Sequence, residues 1–112
     1  MPAPEVLSRV EKGAWAESFA TQWLLERGFW VAKSIAGQGP FDIVAVSKEG
    51  TIHLFDVKYI SRNVARRRKD PSSVRLRSEL QIALSIRLFI VTADNDVLIE
   101  PPFDENNNNG RT

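Results

Sequence analysis

The chain has 112 residues and a mass of 12.6 kDa, is 43% hydrophobic and 26% charged, and carries no cysteine, one histidine (His53) and a net charge of +1. That is enough chain for one domain, and it excludes disulfides, thiolate catalysis, Cys-ligated zinc and any two-histidine metal site within one chain. No apolar run approaches the ~20 residues of a membrane span, and Met1-Pro2-Ala3-Pro4-Glu5 lacks the layout of a signal peptide, so the expected compartment is cytoplasmic (the host cytoplasm if the source is viral).

Residues 4–27 are predicted to form a helix, because Ala16, Phe19, Ala20, Trp23 and Leu24 recur at the spacing of one helical face. Gly28 stands where a glycine ends a helix. Residues 29–35 read as a first strand, and Gly37-Gln38-Gly39-Pro40 as a loop. A second strand is predicted over 41–46 and a third over 51–60. Ser47-Lys48-Glu49-Gly50 joins them tightly, so the two are expected to form an antiparallel hairpin. Residues 61–70 lack apolar periodicity and read as a mobile loop. Pro71-Ser72-Ser73 offers the start of a short helix to about residue 85. Strands over 87–92 and 97–99 flank an Asp94-Asn95 turn, and the polar tail from Asp104 is expected to be disordered. The order α-β-β-β-α-β, with a short final strand, specifies one α/β domain over residues 1–103 around a central mixed sheet.

The net charge conceals an uneven distribution. Residues 58–77 hold eight basic side chains (Lys58, Arg62, Arg66, Arg67, Arg68, Lys69, Arg75, Arg77) against one acid, Asp70, which makes that window +7 and leaves −6 for the rest. A cationic segment within a mildly acidic body is the pattern of a polyanion-binding surface. A solvated linker or a localisation-type basic tract would also give it.

Three acids interrupt apolar surroundings. Asp56 lies within Ile52-His53-Leu54-Phe55-Asp56-Val57-Lys58-Tyr59-Ile60, where a period of two puts Asp56 and Lys58 on one face and His53 on the other. His53 therefore reads as structural. Asp42 lies within Phe41-Asp42-Ile43-Val44-Ala45-Val46. A hairpin turn centred near Lys48 or Glu49 sets Asp42 opposite Phe55 or Asp56. The second register brings the two carboxylates to Cβ atoms ~4.5–5.5 Å apart, where they repel unless a divalent cation sits between them. Glu17 falls at the border of the helix's apolar stripe, about 20° from Leu24 on a helical wheel, with Gly13 leaving space one turn earlier. Taken singly, Asp42 reads as an exposed or edge residue, Asp56 with Lys58 as a same-face ion pair, and Glu17 as a solvated boundary residue; the combined spacing Asp-x13-Asp-x-Lys is what decides against these readings. Trp15 and Trp30 read as core-edge residues or as contacts to a second subunit.

These residues carry a resemblance. Lys12-Gly13-Ala14-Trp15-Ala16-Glu17, Leu25-Glu26-Arg27-Gly28-Phe29, Gly39-Pro40-Phe41-Asp42-Ile43-Val44-Ala45 and Phe55-Asp56-Val57-Lys58 resemble the PD-(D/E)xK nuclease superfamily. Within it they look most like the archaeal-type Holliday junction resolvases, including those carried by phages. The resemblance implies a restriction-endonuclease-like core and a metal site of Asp42, Asp56 and the Val57 carbonyl, completed by Glu17 directly or through water. It implies that Mg²⁺ is the cofactor, with Mn²⁺ able to substitute, and that Lys58 orients or deprotonates the attacking water. Lys33 and Ser34 occupy the place of a basic residue and a serine near the DNA backbone. Asp56 stands where glutamate is more usual, Ser18 where many resolvases have arginine, and beyond Ile60 the match is weak.

The expected function is therefore metal-dependent, structure-selective cleavage of four-way DNA junctions. Arg62, Arg66, Arg67, Arg68 and Lys69 are expected to hold the phosphate backbone beside the site. A junction has approximate two-fold symmetry and one chain has one site, which predicts a homodimer. The competing expectations are another nuclease of the superfamily, acting on flaps, nicks or damaged DNA, and a non-catalytic DNA-binding module.

Overall fold

A computed structural model describes residues 7–35, 39–60 and 77–103. Its elements, in chain order, are α1 (Arg9–Glu26), β1 (Trp30–Lys33), β2 (Ile43–Val46), β3 (Ile52–Ile60), α2 (Glu79–Ala83), β4 (Ile86–Thr92) and β5 (Val97–Glu100). The strands form one mixed sheet in the order β1-β2-β3-β4-β5, with β3 and β4 parallel and every other pair antiparallel. The α/β architecture and element order are those expected. Among the described residues, no helix is long and apolar enough to cross a membrane.

The first helix starts later than its apolar stripe suggested. Ser8 caps it: Ser8 Oγ accepts from the Glu11 N–H and Glu11 Oε1 accepts from the Ser8 N–H, closing a capping box that serves two otherwise orphaned donors. Its C-terminus is the predicted glycine stop. Gly28, at φ +87°, donates to Leu25 O, and Phe29 N–H donates back to Leu24 O, so the helix reverses into β1.

Ala16, Ala20 and Leu24 are buried against Ile43, Ala45, Phe55, Val57, Phe89 and Val91, with Phe19 and Trp23 packed alongside. Each large side chain fully buried in this way stabilises the fold by about 1.5–3 kcal/mol. The opposite face of the sheet carries a smaller cluster, Ile60, Leu88 and Ile90, with Leu98 against it.

The hairpin turns about Glu49. Ser47 N–H donates to Thr51 O, and Gly50, at φ +94°, supplies a backbone conformation that L side chains rarely adopt. The second strand is shorter than predicted, beginning at Ile43, because the Asp42 N–H donates to Phe55 O at 2.7 Å, one step out of the ladder that pairs Ile43 with Phe55. The second helix is also shorter than predicted, with five residues after the N-cap Ser78. Its expected start at Pro71-Ser72-Ser73 lies outside the described residues, as do residues 61–70 and the tail from Asp104.

Candidate functional site

The site lies where β2 begins and the second half of β3 runs past it. The β2–β3 ladder ends at the Ile43–Phe55 pair; just beyond it Asp42 leaves the ladder, its N–H on Phe55 O, and its carboxyl meets that of Asp56 in a side-chain hydrogen bond. Of the two registers compatible with the sequence, this is the one that brings the acids together. Strand alternation puts Phe55 and Val57 against α1 and turns Asp56 and Lys58 to the other face.

Each carboxylate is held by named donors. Asp42 Oδ2 accepts from the Val57 N–H at 2.8 Å. The N–H and C=O of one residue in an extended strand point to the same side, so the Val57 carbonyl faces the Asp42 side of β3 as well. Asp56 is buried, 7% exposed. Its Oδ2 accepts from Gln81 Nε2 at 2.8 Å, and its Oδ1 lies 3.4 Å from Lys58 Nζ.

The electrostatics of the pair are unfavourable to two charges. The Asp42 carboxyl is raised from 3.8 to about 6, with burial as the largest cause and the Val57 N–H opposing the rise. A hydrogen bond to Asp56, the Asp56 charge and then the Glu17 charge supply the rest of that rise. Removing a carboxylate from water favours its neutral form, and a like charge beside it does the same.

Glu17, on the border of the buried stripe as expected, bears on Asp42 through its charge. Its Oε1 lies 3.5 Å from Lys33 Nζ, the neighbouring strand's last residue. Among the described residues, no group of three or more His, Asp or Glu side chains stands together as a metal cage. The side chains brought into one cluster are Asp42, Asp56 and Lys58, with the Glu17–Lys33 ion pair beside them. Ser34 is tied to the site by its backbone, its N–H donating to Asp42 O at 2.9 Å. Arg62, Arg66, Arg67, Arg68 and Lys69 lie outside the described residues.

The remaining singled-out residues sort by packing. His53 is half-buried among Phe29, Phe55 and Phe103, away from the acids, in the structural position expected of it. Trp15 is a core-edge residue, packed on Phe19 and Tyr59. Trp30 does not take the core-edge position: it is 57% exposed, and Lys48 Nζ sits 4.1 Å from its ring centroid. It lies on the face away from α1, which leaves its ring uncovered by the helix.

Sequence reading missed Gln81, which is buried and bonded directly to Asp56. Ser78-Glu79-Leu80-Gln81, a serine followed three residues later by glutamine, marks a helix start and the glutamine that caps it, but not that glutamine's bond to Asp56. No family model, curated protein or solved structure matches this chain.

Proposed function

We propose that the chain is a divalent-metal-dependent DNA endonuclease on a restriction-endonuclease-like core, selective for four-way junctions. The observation that carries the reading is the Asp42–Asp56 pair with Lys58 two residues on. Two carboxylates share one partly buried place, one of them pushed up to about 6. A fold that needed only stability gains nothing from this arrangement, whereas a cation between the acids relieves both desolvation and repulsion.

The donor chemistry fits the metal. The groups are hard oxygens, which suit Mg²⁺ or Mn²⁺. Asp42, Asp56 and the Val57 carbonyl are the residues that would hold it, with Glu17 reaching it directly or through water. When bound, the ion supplies neutralisation of phosphate charge and a lower pKa for water.

The chain's own residues supply the rest. Lys58, with its side chain 35% exposed, is placed to orient water and to donate to a phosphate oxygen where charge develops. Lys33 adds positive charge on the same side of the sheet as Glu17. The +7 window begins at Lys58 itself, so the polyanion-attracting stretch of chain leads directly out of the site. The junction's two-fold symmetry requires two such sites, and the working unit is accordingly a homodimer.

The test is a panel of synthetic DNAs (four-way junction, flap and linear duplex) incubated with Mg²⁺ or with EDTA. Symmetric nicking of the junction alone, abolished by EDTA, is the expected result. Cutting of the flap alone would move the reading to another nuclease of the same chemistry. Binding without cutting in any divalent metal would end the enzyme reading and leave a DNA-binding module.

A further inference from the structure

We infer that Gln81 is a positioning residue that fixes the Asp56 carboxylate for the cation, so that α2 sets the geometry of the acid pair. This rests on the nuclease reading above and extends it to a residue outside the acid-and-lysine set.

Gln81 is 6% exposed. Its amide nitrogen has two protons and two partners, Asp56 Oδ2 at 2.8 Å and Pro40 O at 2.8 Å. Its Oε1 accepts from the Ser78 N–H at 3.0 Å, and its own N–H donates to Ser78 Oγ at 3.1 Å. The side chain is thus held at both ends, and it joins three separate stretches: the start of α2, the approach to Asp42 through Pro40, and β3 through Asp56.

Helix capping does not account for this. A capping box uses only the side-chain oxygen, and glutamate serves there as well as glutamine. Glutamate in this place would set another acceptor against Asp56 and the Pro40 carbonyl. The amide end is what the acid pair uses. It occupies Oδ2 of Asp56 and leaves Oδ1 on the Lys58 side. Groups that hydrogen-bond a metal ligand in this way orient it, and their loss typically weakens metal binding by about ten- to a hundredfold.

The experiment is calorimetric titration of Mn²⁺ into the full chain, comparing wild type, Gln81→Met and Ser78→Ala, with thermal midpoints recorded for each. Both substitutions break half of the same capping box, but only Gln81→Met removes the donors to Asp56 and Pro40. The expected result is a loss of about ten- to a hundredfold in Mn²⁺ affinity for Gln81→Met and no loss for Ser78→Ala. Equal losses in the two variants, or none in Gln81→Met, would overturn the inference while leaving the nuclease reading intact. Failure of wild type to take up Mn²⁺ at all would overturn both. Should Gln81→Met not fold, the side-chain amide signals of Gln81 in the ¹⁵N spectrum of wild type decide instead. Displacement on adding Mg²⁺ is expected, and signals that stay in place under Mg²⁺ saturation would overturn it.

Discussion

At the start of β3, His53 stands among the rings of Phe29, Phe55 and Phe103; three residues later in the same strand, Asp56 stands beside a second acid. At the aromatic end, burial and then the Arg87 charge lower the His53 pKa, and Arg87 Nη1 lies 3.4 Å from its Nδ1, so a neutral imidazole faces a donor. Arg87 in turn donates to Pro101 O and lies over the Phe103 ring, which ties the chain after β5 to the sheet. Every polar group named there has a partner of opposite character. At the acid end the fold supplies Gln81 and Lys58 to Asp56 and the Val57 N–H to Asp42, yet the two carboxylates still face one another. One strand therefore carries an aromatic end built around a neutral imidazole and an acid end where two hydrogen-bonded carboxyls share a partly buried place. The proposed chemistry uses the acid end, and in it the histidine is a packing residue.

The largest expected effect removes what the two ends share. Phe55 is fully buried, lies between His53 and Asp56 in β3 and packs on Phe89 and Phe103. Phe55→Ala is expected to cost about 3–5 kcal/mol of stability, read from urea unfolding. A cost below about 1 kcal/mol would mean that the core does not run through this position. Phe103→Ala sharpens the contrast instead. It strips a partly buried ring from the aromatic end, costs about 1.5–3 kcal/mol, and leaves junction cleavage by the folded protein unchanged. Loss of cleavage without loss of stability would break the separation between the two ends.

The smallest effects are those of pH, and their signs are opposite. Folded Asp42 keeps its proton to about pH 6, whereas the unfolded carboxyl releases it near 3.8, so its contribution to stability declines as pH rises between those values. His53 is the reverse case. The unfolded imidazole takes up its proton near 6.5 before the folded one does, so stability falls as pH drops below that value. Thermal midpoints of the metal-free protein from pH 4 to pH 8 are expected to lose the first trend in Asp42→Asn and the second in His53→Gln. A midpoint in Asp42→Asn that still falls towards pH 6 as in wild type would remove Asp42 from the strained pair.

Most of the architecture was legible because short-range rules governed it. The stripe of Ala16, Ala20 and Leu24, the Gly28 stop and the strand-turn-strand from Ile43 to Ile60 follow from periodicity and turn chemistry, which tertiary packing reinforced. The acid pair was legible for the same reason, since a tight turn limits the hairpin to few registers. What escaped were matters of longer range. Gln81 reaches residues 25 and 41 positions away, and no local pattern announces such a bond. The start of β2 depended on one out-of-register hydrogen bond at Asp42. Exposure of Trp30 depended on which sheet face α1 covers, since composition favours an aromatic at the edge of a core.

The central claim is that the acid pair performs metal-dependent cleavage, and Asp56→Asn tests it most directly. This variant preserves the side chain's shape and removes one of the two facing charges. Nicking of a four-way junction in Mg²⁺ is to be measured for wild type and variant at protein concentrations that give equal junction binding. The account predicts that Asp56→Asn binds the junction, folds at least as stably as wild type, and cuts more than about a hundredfold more slowly. Cutting by Asp56→Asn at the wild-type rate would contradict it.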